Sequence, residues 1–374
     1  MKALTSGQYL LRIGLCLMGL MILLVISPGV GSAPLGLWDV WRAGLGIEIP
    51  ADELIGHPLA DIDGDGTVGD TEASAYAETA RNIGFRQRLP RSILALIVGV
   101  TLSMCGSTFQ VLFRNPLATP YTLGIASGGS LGALIAIRTG WETSIPGVSS
   151  LSVAAFVGGI VVVSAIFLLA RGARRLTSNE LLLAGVTMGL FCSAMMMVVT
   201  VISSERETFR MVRWMMGSLV AISTTKSATM LPLLVPAWAV LLLSARSLNQ
   251  YRLGDELAAS RGVCPVRLQR VCVIACTVAT AAVVANCGPI GFVGLVVPHA
   301  MVLVVGSDCR ILLPASALAG GAFLILCDWA SQLAMQVAGW ATQQQLSGAT
   351  LPIGVVTAVI GVPIFLVLLR MRKA

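Results

Sequence analysis

The chain has 374 residues, of which 56% are hydrophobic and only 11% charged, and its formal net charge is +7. Soluble domains carry about a quarter charged residues, so this composition excludes an ordinary water-soluble enzyme and demands another solvent, the lipid bilayer. The positive balance does not indicate nucleic acid, because the arginines gather at the ends of apolar runs, where they meet anionic headgroups and fix orientation.

In chain order, about ten apolar blocks are each long enough to satisfy their own backbone in a hydrocarbon core, which takes about 20 residues per helix. They run near Ile13–Val30, Ser92–Phe113, Pro120–Ile137, Leu151–Ala170, Leu181–Ile202, Ala228–Ala245, Val271–Ala285, Ile290–Val305, Ile311–Val337 and Leu351–Leu369. The predicted fold class is all-α: a polytopic membrane protein of about ten transmembrane helices with a small extracytoplasmic EF-hand-like insertion. The predicted organisation is 1–33 for a short tail and the first helix, 34–87 for an extracytoplasmic loop, and 88–374 for nine further helices. Arg171, Arg174 and Arg175, the stretch Arg246 to Arg270, and the terminal Arg370, Arg372 and Lys373 then fall on one side. Basic residues stay in the cytoplasm, which puts both termini there. The first block also resembles a signal peptide, but its apolar stretch exceeds the 7–15 residues typical of those, which favours a retained helix.

The nine cysteines lie mainly inside apolar stretches without metal-type spacing. Gly and Pro are frequent, 39 and 16, and Pro289, Gly291, Gly294 and Pro298 crowd one span, which permits either a broken helix lining a pathway or a packing kink. His299, Asn286 and Asp328 are the notable polar groups in or near spans. His299 is expected to bond a neighbouring helix or backbone rather than a metal. There is no Gly-rich loop followed by Lys and Ser or Thr, and the lysines are Lys2, Lys226 and Lys373. A P-loop needs that Lys on the phosphates, so ATP hydrolysis by this chain is not expected.

Between the first two blocks, Asp61, Asp63, Asp65, Gly66 and Glu72 fit D-x-[DN]-x-[DN]-G-x5-E, with Val68 as the central apolar residue. Alternating carboxylates, a Gly for the tight turn and a terminal Glu surround a hard cation with oxygens, and Thr67 offers its carbonyl. The motif predicts a structural Ca2+ site, or else an Asp/Gly-rich solvated turn. Thr71 to Asn82 reads as the exiting helix, whereas Ile49 to Ala60, with Pro50 and Pro58, is a poor entering one.

Several segments resemble the permease subunits of bacterial ABC importers for cobalamin, ferric siderophores and haem. They are RLPRSILALIVGVTLSMCGSTFQVLFRNPLATPYTLGIASGGSLGA from Arg88, LLLAGVTMGLFCSAMM from Leu181, RWMMGSL from Arg213, CGPIGFVGLVVPHA from Cys287 and LPIGVVTAVIGVP from Leu351. The resemblance implies a ten-helix permease in a bacterial cell (inner) membrane that pairs with a second copy of itself, two ABC ATPase subunits and an extracytoplasmic solute-binding protein. It further implies that the loop 246–270 carries a coupling helix, with Gly254, Asp255, Glu256, Ala258 and Gly262 contacting the ATPase. Thr177, Ser178 and Asn179 match the family's cytoplasmic gate, and Arg88 and Arg91 its docking arginines for the binding protein. Ordinary helix capping and headgroup anchoring are the respective alternatives. Two departures stand out: Val302 and Gln332 occupy places where the family carries arginine. Two other classes remain as rivals, an ion-coupled secondary transporter using Asp328 and a membrane-bound calcium sensor or scaffold.

Overall fold

A computed structural model describes residues 6–31, 33, 35–55, 57, 59–61, 67–141, 144–145, 148–170, 178–219, 224–342 and 350–371. The α-helices among them are α1 (Ser6–Ile26), α2 (Leu37–Leu45), α3 (Asp70–Arg81), α4 (Leu89–Leu112), α5 (Ile125–Thr139), α6 (Ser150–Ala170), α7 (Ser178–Val201) and α8 (Glu205–Met215). There follow α9 (Thr224–Leu243), α10 (Ala245–Tyr251), α11 (Asp255–Ser260), α12 (Pro265–Cys287), α13 (Val293–Val305), α14 (Cys309–Thr342) and α15 (Ile353–Met371). The β-structure described is a two-residue antiparallel ladder, Ser144 against Ser149 and Ile145 against Val148.

Among the described residues, seven helices are long and apolar enough to cross a membrane, and an eighth span results if α9 and α10, bent by 50°, are counted together. The third and eighth predicted blocks became α5 and α13, apolar but only 15 and 13 residues long. At 1.5 Å per residue they extend about 20 Å, short of a hydrocarbon core of about 30 Å. Each of the ten predicted blocks therefore coincides with an apolar helix, but these two cannot cross as straight helices on their own.

Burial divides the bundle into an inside and an outside. α4, α12 and α14 form the centre, while α1, α6, α7 and α15 turn broad apolar faces outward. α4 lies along α14 and crosses the start of α13. Glycine makes this approach possible, because a Cβ added to Gly106 would collide with the Gly294 carbonyl and one on Gly99 with the Gly320 carbonyl. Small residues let helices in lipid exchange close van der Waals contacts when no hydrophobic force drives them together.

The insertion has its own apolar core, built from Val40, Ala43, Ile49, Leu54, Ala60, Ala73, Tyr76 and Ala80. α3 starts within one residue of the predicted exiting helix, with Glu72 in its first turn. Among its described residues the predicted poor entering segment forms no α-helix; their regular part is a single 3-10 turn, Ala51–Leu54. A π-helical stretch, Asn82–Arg88, leads α3 directly into α4. This mounts the insertion on one end of the central helix, and the loop after α4 marks the other end.

Candidate functional site

At the end of the bundle opposite the insertion, α9 bends into α10 and the chain then turns into α11. Gly254 makes that turn at φ +126° and Gly262 ends it at φ +82°, backbone conformations that side chains with a Cβ resist. Asp255 and Glu256 occupy the first turn of α11, where the helix dipole favours acids. Arg114, itself at φ 48°, reaches from the end of α4 to this elbow. Its guanidinium donates to the Tyr251 carbonyl at 2.8 Å, pairs with Asp255 at 2.5 Å and sits 4.7 Å from the Tyr251 ring centre.

A second tie holds the elbow from the α13–α14 turn. Asn249 donates to Asp308 at 2.6 Å and accepts from the Cys309 N–H at 2.8 Å, while Arg252 donates to the Ser307 carbonyl. The Arg310 guanidinium, ahead of the Asn249 amide, pulls the Asp308 carboxyl down to about 2. Of the expected ATPase contacts, Asp255, Glu256 and Gly262 are exposed, but Ala258 is fully buried. A buried methyl cannot meet another subunit, so Ala258 packs the elbow instead. Sequence reasoning missed Leu253 and Leu257, which are 58% and 51% exposed beside those acids. Large aliphatic side chains on a charged turn were the signal available.

Near the elbow, Ser107, Gln110, Arg114, Arg252, His299 and Leu312 help line a cavity of about 310 Å³. His299 is buried with its ring edge-on to Phe365 of α15, 5.8 Å between centres. Val302 lies on the same cavity wall.

At the insertion end, both expected docking arginines are turned inward. Arg88 is buried and donates to the carbonyls of Pro28 at 3.1 Å, Gly29 at 3.0 Å and Ala33 at 2.7 Å, stapling the chain that follows α1 to the start of α4. Arg91 clasps Asp328 of α14 at 2.7 Å, and Gln332, one turn later, donates to the same carboxylate at 2.9 Å. The departure at Gln332 thus supports an internal ion pair. The docking expectation for Arg88 and Arg91 meets guanidiniums already committed within the chain; the exposed cations nearby are Arg81 and Arg86.

α12 stops at Cys287, and Gly288 to Phe292 run without helix before α13. The freed backbone is partly satisfied inside the protein: Ser218 N–H donates to the Cys287 carbonyl at 2.7 Å and Ile290 N–H to the Tyr121 hydroxyl at 2.8 Å. Irregular backbone at membrane depth needs such partners or water. Pro289 and Gly291 face an open groove of about 400 Å³, shared with Met215, Met216, Gly354 and Val359. Of the crowded prolines and glycines, Pro289 and Gly291 lie in the non-helical stretch between α12 and α13, whereas Gly294 and Pro298 lie within α13. Alongside, α8 is capped by Ser204 and Glu207, and the Ser204 N–H holds the Glu207 carboxyl below the usual range.

Thr177 of the expected gate lies outside the described residues, and Ser178 and Asn179 open α7. In the expected calcium loop, Asp63, Asp65 and Gly66 lie outside them too. Asp61 and Thr67 flank that gap, and Glu72 accepts from the Gly69 N–H at 3.0 Å, with Val68 packed on the insertion core. Among the described residues no His, Cys, Asp and Glu gather as a metal cluster.

The whole chain has recognisable relatives. It is 35% identical over 368 residues to the cobalamin import system permease protein BtuC of Halobacterium salinarum, covering 95% of this chain and 94% of that one. It is 37% identical over 283 residues to the vitamin B12 import system permease protein BtuC of Salmonella typhi, covering 75% and 82%. Among solved structures, one described as a metal-chelate type ABC transporter in an inward-facing conformation superposes with a TM-score of 0.74 at 26% identity, covering 97% and 99%. The model of the FecCD transport family matches residues 19–371, nearly the full helical bundle with its elbow, the non-helical stretch before α13 and its internal ion pair, and the chain belongs to that family.

Proposed function

We infer that the chain is the transmembrane permease subunit of an ATP-driven importer whose cargo is a corrinoid of the cobalamin type. The family match from residue 19 to 371 carries this reading, and the relatives named as cobalamin and vitamin B12 permeases supply the cargo. A separate ATPase subunit docks on the α10–α11 elbow through Leu253, Asp255, Glu256, Leu257 and Gly262. Arg114 ties that elbow to α4, so closure of the ATPases pulls on the central helix of the bundle. With the basic clusters in the cytoplasm, the elbow and both termini face inward and the insertion faces out.

A second copy of the chain completes the pathway across the outward faces of α7 and α15, with the groove at Pro289 and Gly291 on its wall. Thr177, Ser178 and Asn179 form the cytoplasmic gate, where small polar side chains seal without trapping a bulky solute. A binding protein docks at the insertion end, using Arg86 and Arg81 while Arg88 and Arg91 hold the surface beneath. Asp61, Asp63, Asp65, Thr67 and Glu72 hold Ca2+: α3 starts where an exiting helix must, and Val68 anchors the loop. The ion replaces an entering helix as the brace of that segment.

An iron or other metal chelate is the second reading of the cargo, favoured by the description of the solved transporter. The ion-coupled rival loses its relay, since Asp328 is bound to Arg91 and Gln332. The deciding experiment is uptake into vesicles holding this chain with its ATPase, loaded from a binding protein carrying either cobalamin or a ferric siderophore. ATP-dependent accumulation of cobalamin is expected. Accumulation of the siderophore alone moves the cargo to the second reading, and uptake driven by an ion gradient without the ATPase overturns the importer itself.

A further inference from the structure

α2 is apolar on two opposite faces. Val40 and Ala43 enter the insertion core, while Trp38 and Leu45, 67% and 70% exposed, stand on the other side with Leu37. At 100° per residue, Leu37, Trp38, Trp41 and Leu45 share one arc of the helix about 100° wide. Trp38 and Leu45, two turns apart on one arc with Leu37, form an exposed apolar face rather than a single bare side chain.

The packing of α2 tells what covers that arc. Its first residue, Leu37, lies against Gly29 at the end of the first apolar span, which runs Leu11–Gly29. One turn later the Trp41 indole donates to the Val25 carbonyl at 2.9 Å. Val25 is four residues inside that span, or about 6 Å below its end. The bare arc is therefore centred on a tryptophan at the depth of the last turn of α1. α1 itself carries an exposed stripe of Leu15, Met18, Ile22 and Val25, which ends at the residue whose carbonyl Trp41 bonds. At the edge of the arc the Arg42 guanidinium lies over the Trp38 ring, 5.8 Å from its centre, and pairs with Glu53 at 2.5 Å, so the charge on this side of the helix is neutralised within the insertion.

We propose that α2 is an in-plane membrane anchor: Trp38, Leu45 and the neighbouring Leu37 lie in the outer acyl and headgroup boundary, and the insertion is seated on the bilayer rather than standing free in water. Interfacial helices bury their apolar face about 5–10 Å into that layer, and tryptophan prefers that level. Seating fixes the orientation of the rest of the insertion, α3 included, relative to the bundle.

The test uses the unmodified full chain in lipid discs and hydroxyl-radical footprinting read by mass spectrometry. Leu45 and Ile55 are 70% and 65% exposed on the same insertion and serve as mutual references. Oxidation of Leu45 about threefold or more below that of Ile55 in discs, with the difference vanishing in the unfolded chain, is the expected result. Equal oxidation of the two overturns the proposal. So does protection of Leu45 that arises only after the binding protein is added, which assigns the arc to that protein. As a second reading, Trp38→Phe isolates the emission of Trp38. Quenching by lipids brominated near the glycerol end is expected, and quenching by aqueous acrylamide instead overturns the anchor.

Discussion

Arg91 and Asp328 stand 237 positions apart in the sequence and 2.7 Å apart in the fold. The pair joins the first turn of α4 to the second half of α14, and Asp328 is fully buried. A buried charge that loses its partner is costly, whereas replacing both by apolar residues is often neutral. Asp328→Ala is expected to destabilise the chain by about 3–5 kcal/mol, and the double change Arg91→Met with Asp328→Leu to recover most of it. Denaturation midpoints in detergent check this; a double variant as weak as the single one denies the pair its structural role.

At the elbow, Leu257→Asp is expected to weaken capture of the ATPase subunit about tenfold or more, which is about 1.4 kcal/mol. The Arg114–Asp255 pair is half-exposed and contributes at most about 1 kcal/mol to stability. Arg114→Gln should therefore leave the melting temperature nearly unchanged while ATP-driven uptake falls. Binding of the ATPase to disc-held permease measures the first effect, and wild-type binding by Leu257→Asp removes the elbow from the interface.

Close helix contact at Gly106 allows a control within the same protein. Gly106→Ala forces a methyl into the Gly294 carbonyl and should cost about 1–3 kcal/mol. Gly14→Ala in α1, where nothing lies within 4 Å, should be neutral. Thermal unfolding of the two variants side by side separates a packing effect from a general intolerance of alanine.

Calcium should raise the melting temperature of the full chain with a dissociation constant of about 10⁻⁴–10⁻³ M, the range of extracellular modules. At ten times that constant the stabilisation is about 1.4 kcal/mol. Asp61→Asn with Glu72→Gln should abolish the calcium response without changing the melting temperature in chelator. A response that survives both changes locates the ion elsewhere.

Much of the bundle was legible because lipid imposes a simple rule: a stretch that cannot hydrogen-bond to solvent must be helical and apolar. The positions of all ten apolar blocks and the start of α3 follow from that rule and from local turn signals. The same rule could not foresee that α5 and α13 are short, because their apolar runs in sequence continue into a 3-10 turn, Pro120–Leu123, before α5 and into the non-helical Gly288 to Phe292 before α13. It also cannot say which face of a helix meets protein and which meets lipid when both are apolar, as in α1, α7 and α15.

Charge was the hardest to place. Sequence put Arg88 and Arg91 just before the second apolar block, and they lie at the start of α4, but the direction of a long side chain depends on partners far along the chain, here Ala33 and Asp328. The resemblance offered Ala258 as an ATPase contact, yet α11 turns it inward, where it is fully buried. What the sequence alone determined is the solvent, the helical class, the order of the elements and the family, since each is written in local composition or in contiguous motifs. Only the tertiary structure decided which polar groups are spent inside and which remain to meet partners, because hydrogen bonds and ion pairs form through space, and their distances carry no trace in the local chain.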